Sequence, residues 1–137
     1  MTNINNYAPY RAGTYPSFVS SENGCKHEAK NPSRKAVRQF MVDGGVFPKG
    51  SGSLRCDWLI LNDTDQNAYY IELKGSDIPH AIEQIEATIR EVPTYQKIHR
   101  RIIYKTNTLK MQDHTVTKWK AAHRDALVRN LTYTDTL

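Results

Sequence analysis

The stretch between residues 53 and 74 constrains the fold of this chain more than any other part of it. Residues 53–62 include four consecutive apolar residues that begin at Trp58, and a strand that is apolar on both faces is typical of a sheet covered on both sides. A polar turn over residues 62–67 leads into a second strand over residues 68–74. The two strands predict an antiparallel hairpin inside a sheet.

Alternation along these strands predicts which side chains share a face, because successive residues of a strand point to opposite sides. Cys56 is expected on the face of Trp58, and Asp57 on the opposite face. Glu72 and Lys74 share one face of the second strand. Asp57 stands out, since burying an unpaired carboxylate within an apolar strand is costly.

Capping residues and periodicity predict the remaining elements. Asn31-Pro32 is typical of a helix start, because asparagine caps a helix and proline fits its first turn. Ser76-Asp77 predicts the cap of a second helix. The order of elements predicts an α/β fold, with a mixed central sheet flanked by helices. The predicted elements are an N-terminal arm over residues 1–30, mostly irregular to residue 24 with a short extended piece over 17–20, and a helix from 31 to the glycines at 44 and 45. A short strand at 46–47, the hairpin, a helix to about 92, a strand over 97–106 and a C-terminal helix over 115–131 follow.

The composition is that of an ordinary globular chain, with 24% charged residues and a net charge of +5. Residues 56–96 hold eight Asp and Glu against two Lys and Arg, whereas residues 97–129 hold two against nine. An acidic middle beside basic flanks suits a metal site in a surface that attracts phosphates, and a solvated charged face is the simpler alternative. The chain has no apolar run of membrane-spanning length and no export signal, which favours the cytoplasm.

Asp57, Glu72 and Lys74 are the residues from which chemistry is expected. Two carboxylates from neighbouring strands offer the hard oxygen ligands that Mg²⁺ prefers, and the backbone carbonyl of Leu73 is expected to complete the shell. The Lys74 ammonium could hold or deprotonate the attacking water and offset the charge that builds on a phosphate. The alternative is an exposed, ion-paired row of side chains on a strand face.

The chain resembles the PD-(D/E)xK nuclease superfamily in the segments RCD, residues 55–57, and YIELKG, residues 70–75. The resemblance covers residues 31–106 and is strongest to the Holliday-junction-resolvase-like and RecB-like nucleases. It implies an αβββαβ restriction-endonuclease-like core with the C-terminal helix added. It also implies a Mg²⁺-dependent endonuclease, with Mn²⁺ as a substitute, that hydrolyses the phosphodiester bonds of DNA, including branched or structured DNA.

The same resemblance implies roles for Gln84 and Glu28. These nucleases often carry a glutamine close to the metal on the helix that follows the motif, where this chain has Gln84. The alternative is that Gln84 is a solvent-exposed polar residue beside His80. The first core helix of the resolvase branch contributes a glutamate, for which Glu28 is the nearest candidate metal ligand. The chain departs from the usual motif at Cys56, which stands where a proline is common.

Basic residues on both sides of the motif are expected to bind the DNA backbone, because phosphate contacts dominate nucleic-acid affinity. A second class of function is a nuclease-fold binding or effector protein, mobile-element or defence-related, with little or no cleavage activity. The candidates for phosphate binding are Lys26, Lys30, Arg100, Arg101 and Lys105.

A homodimer is one expectation for the whole molecule. One chain offers one site, and cutting both strands of a duplex needs two, which a two-fold pair would supply. The arm and the final helix, which includes Trp119, are the segments expected to form such an interface. The alternative is that the final helix covers the monomer's own sheet.

Overall fold

Nine strands, two α-helices and a 3₁₀ turn make up the described part of the chain, which in this computed structural model comprises residues 1–49, 54–106 and 114–137. In chain order the elements are η1 (Ile4–Asn6), β1 (Arg11–Gly13), β2 (Ser17–Glu22), β3 (Cys25–Lys30), β4 (Val37–Met41), β5 (Trp58–Asn62), β6 (Asn67–Lys74), α1 (Ile78–Glu91), β7 (Lys97–Tyr104), α2 (His114–Ala122), β8 (Leu127–Asn130) and β9 (Thr132–Thr136).

A six-stranded mixed sheet, the large sheet, has the strand order β1-β4-β5-β6-β7-β8. Strands β4, β5 and β6 form an antiparallel meander, whereas β6, β7 and β8 run parallel and are linked through α1 and α2. The predicted hairpin is confirmed, since Trp58 pairs with Ile71 and Asn62 pairs with Asn67. The prediction of an α/β fold with a mixed sheet is confirmed at this general level.

The two helices cover one face of the large sheet. Asp77 caps α1 as predicted, because its side chain accepts a hydrogen bond from the backbone N–H of His80. Trp119 of α2 is only 6% exposed, and its indole N–H donates to Glu86 of α1 over 3.1 Å. The side chain expected at a dimer interface is therefore packed within its own chain.

A three-stranded sheet, the small sheet, lies on the opposite face and has the order β2-β3-β9. The extended piece expected over residues 17–20 is confirmed, because it lies in β2, whereas β1 and the rest of the small sheet were not expected from the arm. Asp135 of β9 is the main polar link between the sheets. It accepts two hydrogen bonds from Arg101 of β7, at 2.8 and 2.9 Å, and lies 2.8 Å from Nε2 of His27. These buried partners fix the small sheet on the large one.

The helix predicted from residue 31 is wrong, because the segment forms strand β4. Val37 and Phe40, which are three positions apart and would share a face of a helix, lie in the cores on opposite sides of the large sheet. Asn31 acts as a turn residue, since its side chain bonds the backbone N–H and C=O of Lys35. Arg34 has a φ of 50°, in the left-handed region, which a continuous α-helix does not contain.

The C-terminal helix is also shorter than predicted, because α2 ends at Ala122 and strands β8 and β9 follow. Threonines alternate along β9, a pattern that favours a strand over a helix. Leu131, with a φ of 63°, lies between the two strands and turns the chain from the large sheet to the small one. Arg129, expected on the final helix, lies on β8 instead.

The entry into β5 differs from the prediction as well. The strand begins at Trp58, and residue 53, where it was expected to start, lies outside the described residues. Cys56 does not share the face of Trp58 but packs in the helix-side core. The cause is a hydrogen bond of 2.8 Å from the backbone N–H of Cys56 to Oγ1 of Thr88, which draws the segment toward α1. No helix in the described ranges is long and apolar enough to span a membrane.

Candidate active site

A cleft of about 400 Å³ lies where the end of β6, the β2–β3 turn and the start of α1 meet. Asp57 enters it from the segment before β5, Glu72 and Lys74 from the end of β6, and Gln84 from α1. The structure therefore brings together the four side chains that the sequence singled out. The other lining residues are Glu22, Asn23, Asp43, Lys49, Gly75, Ser76 and Asp77.

Asp57 is buried in the wall of this cleft. Its Oδ2 accepts a hydrogen bond of 2.9 Å from the backbone N–H of Leu73. Burial raises the pKa of the Asp57 carboxyl to about 7, an effect that the Leu73 bond opposes and the neighbouring Glu22 carboxyl adds to.

Glu72 is even more buried, with 2% of its surface exposed. Its Oε1 has no hydrogen-bond partner among the described residues, and its Oε2 lies 3.8 Å from Nζ of Lys74. Burial, and then the charge of Asp57, raise the pKa of Glu72 to about 9, and Lys74 opposes this rise. Two adjacent carboxyls resist ionising together. Without a cation, the pair therefore retains a proton at neutral pH.

Lys74 is held in place by Gln84. The Lys74 ammonium donates to Oε1 of Gln84 over 2.6 Å, and Nε2 of Gln84 donates to the carbonyl of Arg55 over 3.0 Å. Both ends of the Gln84 amide are thus used, and the alternative of a merely solvent-exposed glutamine is wrong. Thr88, one turn further along α1, donates to the Gln84 carbonyl and accepts from Cys56, which keeps α1 against the segment before β5.

Glu22 is one of three acidic residues of the cleft, with Asp43 and Asp77, that were not expected there from the sequence. It reaches the cleft from the end of β2, where it pairs with Cys25 across a two-residue turn. Both turn residues have positive φ, 53° for Asn23 and 74° for Gly24, as in a type I′ hairpin. Asn-Gly between alternating segments is a strong hairpin signal, and it could have predicted that Glu22 projects from a strand end.

Glu28 does not reach the cleft, so its assignment as a metal ligand is wrong. Its Oε2 accepts a hydrogen bond of 2.7 Å from Ser17 on the neighbouring strand. The reason is alternation along β3, in which Cys25 and His27 point inward and Glu28 does not. The carbonyl of Leu73, expected on the metal, accepts a hydrogen bond of 2.9 Å from Nδ2 of Asn23.

Two of the five predicted phosphate-binding residues are buried in ion pairs. Arg100 bonds Glu86 at 2.7 Å and Asp125 at 2.9 Å, and Arg101 bonds Asp135. Their assignment to DNA is wrong, because β7 lies inside the large sheet and both arginines are buried and paired with carboxylates of their own chain. The three candidates on the surface are Lys26, Lys30 and Lys105.

Comparison with known proteins gives no match for this chain, whether with family models, with curated proteins or with solved structures.

Proposed function

We propose that this chain is a Mg²⁺-dependent DNA endonuclease of the PD-(D/E)xK type, which hydrolyses phosphodiester bonds of branched or structured DNA. The observation that carries the proposal is the meeting of Asp57, Glu72, Lys74 and Gln84 in one open cleft. An acid directly before β5, an acid on β6, a lysine two residues after the second acid and a glutamine from the next helix form the group expected of such an enzyme.

The order β4, β5, β6, α1 and β7 supports the proposal. An antiparallel meander, a crossover helix and a parallel strand are the part of the αβββαβ core that carries the motif. Strands β1 to β3 precede this part where a first helix was expected. Glu22 of β2 enters the cleft and supplies the glutamate that was expected from that helix.

The donors in the cleft suit Mg²⁺, with Mn²⁺ as a substitute, because they are hard oxygens. Asp57 and Glu72 would hold the ion, Glu22 is placed to join them, and the buried Oε1 of Glu72 lacks any other partner in the described structure. The Leu73 carbonyl has a second lone pair beyond the one that Asn23 uses. Over the described ranges no group of three or more His, Cys, Asp and Glu side chains is already arranged as a metal site. When bound, the ion would supply Lewis-acid activation of the phosphate.

Lys74 is the residue of this chain best placed to act on the attacking water. Its ammonium lies between the amide oxygen of Gln84 and a carboxylate oxygen of Glu72, at 2.6 and 3.8 Å. It can orient the water through a hydrogen bond and stabilise negative charge on the phosphate. Gln84 is a positioning residue, because its second bond to the Arg55 carbonyl fixes the oxygen that Lys74 contacts.

Cleavage assays test this proposal directly. Wild-type protein with Mg²⁺ or Mn²⁺ is incubated with linear duplex, nicked, single-stranded and four-way-junction DNA. Lys74→Ala is expected to lower the cleavage rate by roughly a factor of 100 or more, because its charge acts in the transition state. DNA affinity and melting temperature should change little.

Lys118→Ala is the matched control, since this lysine is exposed on α2 and should leave cleavage unchanged. Cleavage that persists in both Lys74→Ala and Asp57→Asn would contradict the assignment of the centre. Metal-independent DNA binding without cleavage of any substrate would instead favour the binding or effector protein as the function.

A further inference from the structure

Four exposed side chains beside β2 are of the kind that binds single-stranded nucleic acid. Tyr10 and Tyr15 are 63% and 43% exposed, and Arg11 and Arg34 are exposed next to them. These four residues, here called the stacking platform, lie on the small-sheet side of the large sheet, since Tyr10 contacts Trp58 and Tyr15 contacts Phe18 in that core. Aromatic rings and guanidinium groups are the surfaces on which unpaired bases stack.

The two rings of the platform are fixed in orientation. Tyr10 packs edge-on against Trp58 with 5.1 Å between ring centroids, and Tyr15 packs edge-on against Phe18 at 5.9 Å. The backbone at Gly13 lies so close to Tyr15 that an added Cβ would be 3.1 Å from the ring. The Arg11 guanidinium covers the Tyr15 ring at 3.9 Å. A base that stacks here would therefore meet surfaces that need little further ordering.

The charges of the platform favour a polyanion. The sequence has no acidic residue before Glu22 and none between positions 29 and 42. None of the ion pairs in the described ranges involves Arg11 or Arg34, whereas the neighbouring Lys35 and Arg38 are paired with carboxylates. Arg34 and Tyr15 also line an open hollow of about 410 Å³, in which an aromatic surface and a cation face the same space.

Strand β2 connects the platform to the cleft. It begins at Ser17, two residues after Tyr15, and ends at Glu22 in the cleft wall. Five steps along a strand cover about 17 Å, which corresponds to about five nucleotide spacings at the rise of a stacked, B-form strand. Val19 and Ser21 are exposed on the outer face of β2, where they pair with Glu28 and Lys26 of β3. A strand that leaves the cleft can thus reach the platform along the surface of β2.

We propose that the platform holds a single-stranded nucleic-acid segment continuous with the strand in the cleft. The continuity with the cleft rests on the proposed nuclease function. The inference names the substrate class, which is DNA with an unpaired arm next to the bond that is cut. Tyr10 and Tyr15 bind bases by stacking, and Arg11 and Arg34 bind phosphates. The surface lysines that are far from β2, such as Lys118 and Lys120 on α2, take no part in holding this arm.

Binding measured without metal tests the platform separately from cleavage. The full chain is titrated, in the presence of a chelator, into a fluorescent single strand of about twelve nucleotides and into the corresponding duplex, with anisotropy as the readout. Tyr15→Ala should weaken single-strand binding by roughly a factor of ten, because one stacked base is lost, with little change for the duplex. Tyr15→Phe should bind like wild type.

A second part of the experiment measures the contribution of the arginine charges with the double variant Arg11→Ala and Arg34→Ala. The slope of log affinity against log salt is negative, and removing two phosphate contacts should make it less steep by about 1.4 for the single strand. Lys118→Ala combined with Lys120→Ala is the charge-matched control and should leave the slope unchanged. Tyr7→Ala is the tyrosine control, since this exposed ring has no aromatic or cation contact among the described residues.

Single-strand affinity that is equal in wild type, Tyr15→Ala and the double arginine variant would overturn the platform. A wild-type preference for the duplex over the single strand would overturn it as well. Either result can occur together with metal-dependent cleavage that Lys74→Ala abolishes, in which case the proposed nuclease function stands. Conversely, a protein that binds single strands through Tyr15 but never cleaves would refute only the nuclease function.

Discussion

Glu72 determines the charge state of the cleft. A carboxyl that is almost fully buried beside Asp57 is more stable protonated, and its pKa is raised to about 9. The folded protein without metal thus favours the neutral form, whereas a bound divalent cation favours the charged form. Cation binding and proton release at this position are therefore linked.

Glu72→Gln is expected to change the pH dependence of stability in a defined direction. The pKa of Glu72 is raised from 4.5, its value in the unfolded chain, to about 9 in the folded protein. The protonated carboxyl therefore contributes stability that is fully present below pH 4.5 and is lost as the pH rises toward 9. Glutamine resembles the protonated acid at every pH. Without metal, the variant should match wild type near pH 5 and exceed it near pH 9 by at least about 2 kcal/mol, or roughly 5 °C in melting temperature.

Melting curves recorded between pH 5 and pH 9 check this expectation. Glu83→Gln is the control, because Glu83 is an exposed glutamate of α1 and should show no such crossover. Mg²⁺ should raise the melting temperature of wild type more at pH 9 than at pH 5 and have little effect on Glu72→Gln. Parallel curves for wild type and Glu72→Gln across the whole range would show that Glu72 is not held protonated.

Sequence reasoning succeeded at individual residues where alternation alone decides the result. The period of two along β6 was enough to place Glu72 and Lys74 on one face. Gln84 was placed near them by the resemblance, because the helical period of α1 fitted a solvent-exposed glutamine beside His80 equally well. Arg100 and Arg101 could not be placed in this way. Their partners come from α1, β9 and the turn after α2, and a single sequence does not show which distant carboxylate will be buried beside them.

Among the elements, the β2–β3 hairpin is what brings Glu22 and Asn23 to the cleft. Gly24 has a φ of 74°, where a side chain is strained, and an added Cβ would lie 3.3 Å from Cδ of Lys105. Gly24→Ala should therefore lower the free energy of unfolding by about 1 kcal/mol. It should also weaken Mg²⁺ binding, because Glu22 moves with the turn. Denaturant unfolding and isothermal titration calorimetry measure the two effects.

Gly75→Ala serves as the stability control, since an added Cβ there meets nothing within 4 Å and the free energy of unfolding should stay within about 0.5 kcal/mol. If Gly24→Ala is destabilised but binds Mg²⁺ as wild type does, Glu22 contributes nothing to the ion.

Strand β4 shows why one element was misassigned. Apolar residues at positions 37, 40 and 41 fit a helical face, yet they fit equally well a strand whose two faces are both covered. Only tertiary structure resolves this ambiguity, because the small sheet provides a second apolar layer that the sequence did not reveal. The hairpin and α1 were predictable since each has a long periodic segment with its own turn or cap.

At the scale of the whole molecule, the described residues form three layers, with the cleft at the edge where all three meet. Each layer therefore contributes to the position of the candidate centre. The large sheet carries Glu72, α1 carries Gln84 and the small sheet carries Glu22. Loosening either outer layer should alter the cleft even when its own residues are unchanged.

Trp119→Ala tests whether α2 packs within its own chain or contacts a second chain. The indole is 6% exposed and bonds Glu86 within the same chain, so its loss should lower the free energy of unfolding by about 3 kcal/mol.

A homodimer remains our proposal for cutting two strands, but a buried Trp119 cannot form its interface. Light scattering at micromolar concentration should thus give the same mass for the variant and for wild type, whether that mass is 15.7 kDa or twice as large. Trp119→Phe, which keeps most of the packing, should lose less stability. A mass that halves in Trp119→Ala while the fold persists would show that α2 contacts a second chain.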